Sequence, residues 1–224
     1  HNGGSIDFGS DGKLYIGVGN DNVNSNSQSL DTYKGKVLRM NSDGTVPAGN
    51  PFSGSATKDL IWAYGFRNPW TVAIQPTTGK LFVNDVGEGT WEEINDASVA
   101  GRNFGWPSAE GNSSNPTYTN PVYTYHHGTT GVDDGCAITG GTFFNPAVSN
   151  YPTMYTGKYF FVDYCNKWIN YLDLTSGAVK YNFASGLNGA LNYIKVGPDG
   201  NLYYFSISSN CLLYTSPSPR DATL

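Results

Sequence analysis

Residues 61–95 read IWAYGFRNPWTVAIQPTTGKLFVNDVGEGTWEEIN, and this stretch decides the fold. Two β-prone runs, Trp70–Ile74 and Lys80–Val83, flank Pro76-Thr77-Thr78-Gly79, a turn in which Pro presets φ and Gly tolerates positive φ. The reading is a β-hairpin. Gly65-Phe66-Arg67-Asn68-Pro69 enters it and Asp85-Val86-Gly87-Glu88-Gly89 leaves it. A hairpin returns both loops to one end of the sheet, so a cation (Arg67), an amide (Asn68) and several carboxylates can converge there, as in sites built on a rigid β frame. The plainer alternative is that Arg67 pairs with Asp85 or Glu88 as a structural bridge.

Outward from this stretch the same phrase recurs. Ser10-Asp11-Gly12 leads into Lys13–Val18, Thr156-Gly157 into Lys158–Val162, and Asp199-Gly200 into Asn201–Tyr204. The turn glycines are unevenly spaced, which suits propeller blades with variable inserts better than a solenoid of fixed period. Gly35–Asn41, Val122–Tyr125 and Ala137–Phe144 read as further strands, and no amphipathic helix of useful length appears. Residues 19–35, rich in Asn, Asp and Ser, read as a loop too polar to bury. The fold class is all-β. A partial propeller is expected over residues 1–210. Residues 211–224, which include Pro217 and Pro219, read as a poorly ordered tail outside the blades, because proline cannot continue a central strand.

Composition narrows the function. Of 224 residues, 14% are aromatic and 14% charged, and the net charge is −5. Aromatic residues favour β packing, while phosphate binding needs clustered Lys and Arg that the chain lacks, so nucleic acid is not an expected partner. No apolar run reaches the ~20 residues that span a bilayer, so no membrane span is expected. The few charges and abundant Asn, Gly and Tyr suggest an exported protein, secreted or periplasmic. Cys136 and Cys165 lie inside patterned sequence. They are read as a disulfide of an oxidising compartment, or alternatively as two buried thiols.

His1-Asn2-Gly3-Gly4, Gly35-Lys36-Val37-Leu38-Arg39, Gly65–Pro69, Trp91-Glu92-Glu93-Ile94-Asn95 and Asn103-Phe104-Gly105-Trp106-Pro107 follow one another in order. Each motif is weak alone, but the five together resemble the glucose/sorbosone dehydrogenase family, the soluble quinoprotein sugar dehydrogenases, over about residues 1–207. The resemblance implies a six-bladed β-propeller that uses pyrroloquinoline quinone (PQQ) and calcium. It also implies a fragment of roughly four blades, itself inactive. The activity implied is an oxidoreductase that oxidises the anomeric carbon of an aldose and passes electrons to an external acceptor.

Carried over by position, His1 matches the general base that takes the proton of the anomeric hydroxyl, a task suited to an imidazole near neutral pH; the alternative is an ordinary histidine. Asn20 stands where the best-studied members place an Asp beside that base, with Asp21 next. Its amide can orient an imidazole but stabilises the cation less well than a carboxylate would. Arg67 matches the arginine that stabilises charge on the quinone oxygens, and Asn68 its neighbouring cofactor contact. Gly87 and Glu88 match the pair whose carbonyls hold the active-site calcium, and Glu93 a ligand of a structural calcium. The arginine pair that clamps the cofactor's carboxylates in those members has no counterpart in Ala190-Leu191-Asn192-Tyr193. That departure keeps a second reading open, a non-enzymatic propeller binding carbohydrate or a protein partner.

Overall fold

The structure, a computed structural model, describes residues 1–128, 134–207 and, as backbone, 211–215. The chain divides into two compact units, residues 1–138 and 139–224. Among the described residues the helical segments are three 3-10 turns, Asn24–Ser27, Lys58–Leu60 and Thr153–Tyr155.

Unit 1 holds two four-stranded sheets. The first runs β1 (Gly3–Phe8), β2 (Leu14–Val18), β3 (Lys36–Met40) and β4 (Ile61–Tyr64) in chain order, every neighbour antiparallel. The second repeats the pattern with β5 (Pro69–Ile74), β6 (Leu81–Asp85), β7 (Trp91–Asp96) and β8 (Tyr123–His126). The two pack through an apolar core that includes Val37, Phe66, Val72, Leu81, Val83 and Phe104. Trp62 caps it from the side, its indole N–H donating to the Ala97 carbonyl at 2.7 Å.

Unit 2 has two further sheets. One has the order β12 (Val179–Ala184), β11 (Ile169–Asp173), β10 (Tyr159–Asp163) and β9, whose strand Ile138–Phe143 begins at the unit boundary. The other runs β13 (Leu191–Val196), β14 (Leu202–Ser206) and β15 (Cys211–Thr215). Aromatic rings fill its core: Phe160, Tyr155 and Phe183 pack edge-on or tilted with centroids 5.2–5.9 Å apart. Each such pair is worth roughly 0.5–1.5 kcal/mol beyond its buried area.

The recurring turn phrase delivers the second strand of each sheet, β2, β6, β10 and β14, and its glycines take φ of 72° to 81° at Gly12, Gly79, Gly157 and Gly200. An up-and-down antiparallel sheet of about four strands is the unit from which propellers are built.

Two expectations differ from the structure. The loop over 19–35 is not too polar to bury, because Asn20 and Ser27 are fully buried. Backbone groups of other segments satisfy them: the Arg67 carbonyl accepts the Asn20 N–H at 2.9 Å, and the Phe66 carbonyl accepts the Ser27 hydroxyl at 2.6 Å. Likewise, residues 211–215 form β15 and pair with β14 from Cys211↔Ser206 to Thr215↔Leu202, where a tail was expected from residue 211. Cys-Leu-Leu-Tyr-Thr is itself β-prone, and the prolines come after it. The rest of the expected tail, residues 216–224, lies outside the described residues.

Candidate functional site

All seven residues expected at the site, His1, Asn20, Arg67, Asn68, Gly87, Glu88 and Glu93, fall in unit 1. The chain leaves β2 through Gly19, where a Cβ would lie 2.1 Å from the His1 carbonyl oxygen, so a larger residue would push the two segments apart. The Gly19 and Asp21 N–H groups donate to the Asn2 and His1 carbonyls at 3.2 and 3.1 Å. Asp21 and Asn22 then take left-handed φ of 58°, a conformation Asp and Asn tolerate better than most residues. This places Asn20 Oδ1 2.7 Å from His1 Nδ1. Asn20 Oδ1 also accepts the Asn22 N–H at 3.0 Å, which fixes which end of the amide is oxygen. Nδ1 of His1 is therefore the protonated nitrogen. Nε2 keeps its lone pair and has no hydrogen-bond partner among the described residues.

Arg67 and Asn68 lie between β4 and β5, held from below by Asp85 at the end of β6. The Asp85 carboxylate accepts the Arg67 N–H at 2.9 Å and the Asn68 N–H at 2.6 Å. This corrects the structural-bridge alternative, since among the described residues Arg67 forms no ion pair with Asp85 or Glu88 and the carboxylate holds backbone instead. Burial pushes the Asp85 carboxyl up to about 7, against the pull of those two N–H donors and the Arg67 charge. The guanidinium donates from Nη1 to the Val86 carbonyl at 3.0 Å and lies 5.6 Å from the centre of the Trp106 ring. Its Nε is buried and has no partner among the described residues. Asn68 is also buried, and its Oδ1 accepts the Gly3 N–H at 3.0 Å, which joins this loop to the segment carrying His1.

The loop after β6 is shaped by a residue the sequence reading did not single out. Glu110 Oε1 accepts the N–H groups of Glu88, Gly89, Thr90 and Trp91 at 2.7, 3.0, 3.1 and 3.4 Å. Burial alone would raise this carboxyl, but the four donors bring it below the ordinary glutamate range. Gly87 is required beneath it, because a Cβ there would meet the Trp91 carbonyl oxygen at 1.9 Å. With the N–H groups of 88–91 turned to Glu110, the Gly87 and Glu88 carbonyls accept no hydrogen bond among the described residues. Glu92, fully buried, accepts the Gly87 N–H at 3.2 Å and pairs with His127 Nδ1 at 2.7 Å.

Glu93 stands on β7 directly across from Asp85. Burial, with the nearby Asp85 charge, raises its carboxyl to about 8. It accepts the Gly111 N–H at 2.5 Å and the Asn95 side-chain amide at 3.0 Å, while Asn95 Oδ1 is buried without a partner. Hydrogen bonds thus bring His1, Asn20, Arg67 and Asn68 into one cluster. The backbone of Val86, which donates to Asn68 and accepts from Arg67, ties Gly87 and Glu88 to it. Glu93 joins only through strand pairing. Trp106 was visible as part of a motif, but Glu110 and His127 carried no local signal.

The family model for glucose/sorbosone dehydrogenases matches residues 1–214. Aldose sugar dehydrogenase YliI of Escherichia coli is 38% identical over 110 residues, 49% of this chain and 29% of that protein. Quinoprotein glucose dehydrogenase B of Acinetobacter calcoaceticus is 33% identical over 144 residues, 55% of this chain and 29% of that protein. Among solved structures, the PQQ-bound form of aldose sugar dehydrogenase from Streptomyces coelicolor superposes with a TM-score of 0.77 at 28% identity, covering 94% of this chain and 57% of that one. The matched relatives are therefore longer than this chain, which holds four sheets of their propeller fold. The chain belongs to the glucose/sorbosone dehydrogenase family.

Proposed function

We propose that this chain is part of a quinoprotein sugar dehydrogenase that oxidises an aldose at its anomeric carbon. The observation that carries the reading is the pairing of His1 Nδ1 with Asn20 Oδ1, which leaves Nε2 free to accept a proton. His1 takes the proton of the anomeric hydroxyl at Nε2, and Asn20 holds the ring in the tautomer that can do so. Arg67, with an unpartnered buried Nε, offers a fixed cation where negative charge develops. Asn68 helps to hold the cofactor. When bound, PQQ supplies the two-electron acceptor for the hydride leaving C1, so the sugar becomes a lactone and the electrons pass on to an external acceptor.

Calcium fits two places. The unpaired Gly87 and Glu88 carbonyls form a hard-oxygen pair. Glu93 beside the orphaned Asn95 Oδ1 forms a second, in which a bound cation would favour the ionised carboxylate that burial alone disfavours. Location in an oxidising compartment, secreted or periplasmic, is supported by the disulfide-bonded state of Cys136 and Cys165.

The absence of arginine in Ala190–Tyr193 favours the second reading, a propeller that binds carbohydrate or a protein partner without oxidising it. Dye reduction with aldoses by the full-length protein, reconstituted with PQQ and Ca²⁺, separates the two. Sugar-dependent reduction lost in His1→Ala supports the dehydrogenase, whereas no PQQ binding by calorimetry at saturating calcium moves the protein to the binding reading.

A further inference from the structure

Trp106 links the Arg67 side of the site to the His1–Asn20 side through Asn24. Its ring faces the Arg67 guanidinium, with 5.6 Å from Cζ to the ring centre. Its indole N–H donates to Asn24 Oδ1 at 3.2 Å. The same Asn24 oxygen accepts from Asn20 Nδ2 at 3.4 Å, and Asn20 Oδ1 holds His1 Nδ1. The tryptophan itself is 6% exposed and fixed by its backbone: its N–H donates to the Gly65 carbonyl at 3.0 Å, and its carbonyl accepts from Gln28 Nε2 at 2.7 Å. Gln28 is locked in turn by a reciprocal amide pair with Asn103 at 3.0 and 2.9 Å.

We infer that Trp106 is a positioning residue that sets the plane of the Arg67 guanidinium with its π face and the orientation of the Asn20–His1 pair with its N–H. This rests on the dehydrogenase reading for its functional meaning and on the geometry alone for its structural content. An arginine with one neutral contact, Nη1 to the Val86 carbonyl, can still swing about its last bonds. A ring held at both ends of its own peptide removes that freedom without consuming a guanidinium donor, because cation–π attraction uses the face and not the N–H edge. The edge is left for an anionic partner. On the other side, the chain from indole through Asn24 holds the Nδ2 end of the Asn20 amide and reinforces the orientation that the Asn22 N–H gives its oxygen, facing His1.

Three variants separate the two contributions. Trp106→Phe keeps the face and removes the N–H, Trp106→Leu removes both, and Asn24→Ala, at the exposed first position of the Asn24–Ser27 turn, keeps the ring but removes the oxygen that joins the indole N–H to Asn20. Hydrogen exchange of the Arg67 Nε–H, followed by NMR, should speed up about tenfold in Trp106→Leu and stay within about twofold of wild type in Trp106→Phe. In the full-length protein with PQQ and Ca²⁺, Trp106→Phe and Asn24→Ala should each lower kcat by about three- to tenfold with KM nearly unchanged, the pattern of a lost transition-state contribution. Unchanged Nε–H exchange in Trp106→Leu overturns the inference. Should that variant fail to fold, wild-type kcat in both Trp106→Phe and Asn24→Ala overturns it instead. A wild-type protein without sugar-dependent turnover sinks the dehydrogenase reading alone, and the exchange measurement still decides whether Trp106 orients Arg67.

Discussion

Lys36 shows how much of the site depends on single buried groups behind it. Its side chain is fully buried, and Nζ donates to the carbonyls of Asn26, Ser27 and Lys34 at 2.7, 3.1 and 2.7 Å. Only the ammonium form has three protons to give, and it stitches together the loop that begins with Asn20. Burial nevertheless pulls its pKa down to about 7. An unfolded lysine titrates near ~10.4, so between about 7 and that value the unfolded chain binds more protons and stability rises with pH. Below about 7 the penalty for the buried charge is present in full. Urea midpoints measured from pH 7 to 10 should therefore climb in wild type, and Lys36→Met should flatten that component of the climb. The variant should also lose about 2–4 kcal/mol near neutral pH, because three carbonyls are left without a donor. None of this was legible in the sequence. Asn20, Ser27 and Lys36 look like solvated polar residues until the carbonyls that receive them, brought from elsewhere in the chain, are in place.

At the scale of elements, legibility followed the range of the signal. Hairpins were readable because their turn residues and alternating strands are contiguous, and the Asp-Gly and Thr-Gly phrase marked the second strand of each sheet. The loop Gly87–Trp91 was readable as a candidate site but not as a shape, since its shape comes from Glu110, about twenty residues further on. Glu110→Ala should leave four N–H groups without an acceptor and raise their hydrogen exchange about tenfold or more, given the typical worth of hydrogen bonds to a charged group. Peptide-level exchange over residues 87–92 reads this directly, and unchanged protection would mean that the loop is held some other way. At the calcium site proposed for the Gly87 and Glu88 carbonyls, any Ca²⁺ affinity measured by calorimetry should fall in the same variant, because the carbonyls diverge once the N–H groups opposite them are released. Boundary differences were small by comparison: β6 runs to Asp85, two residues beyond the expected strand end at Val83, because Asp85 is still paired with Glu93 across the sheet.

On the scale of the whole molecule, the family resemblance stood on motifs that lie mostly in unit 1, while the aromatic core of unit 2 carries little that identifies function. Cys136 and Cys165 are both disulfide-bonded, the oxidised alternative of the two the sequence left open. Thiol titration of the denatured chain should find two more reactive thiols with reductant than without it. Reduction should lower stability by about 2–5 kcal/mol, as for other native disulfides. Equal thiol counts would place these cysteines as free side chains. The bonds that assemble the site share one more property, which is their span along the chain. His1 reaches 19 residues to Asn20, Gly3 reaches 65 to Asn68, and Gln28 reaches 78 to Trp106. Contacts of larger separation cost more loop-closure entropy and form more slowly than local ones. The hairpins, and with them the His1–Asn20 pair, need only local closure, whereas the links of Trp106 to Asn24 and Arg67 and of Asn68 to Gly3 need distant segments of unit 1 in place. The site is thus assembled from bonds of very different span, of which only the His1–Asn20 pair lies within the first hairpin and its following loop.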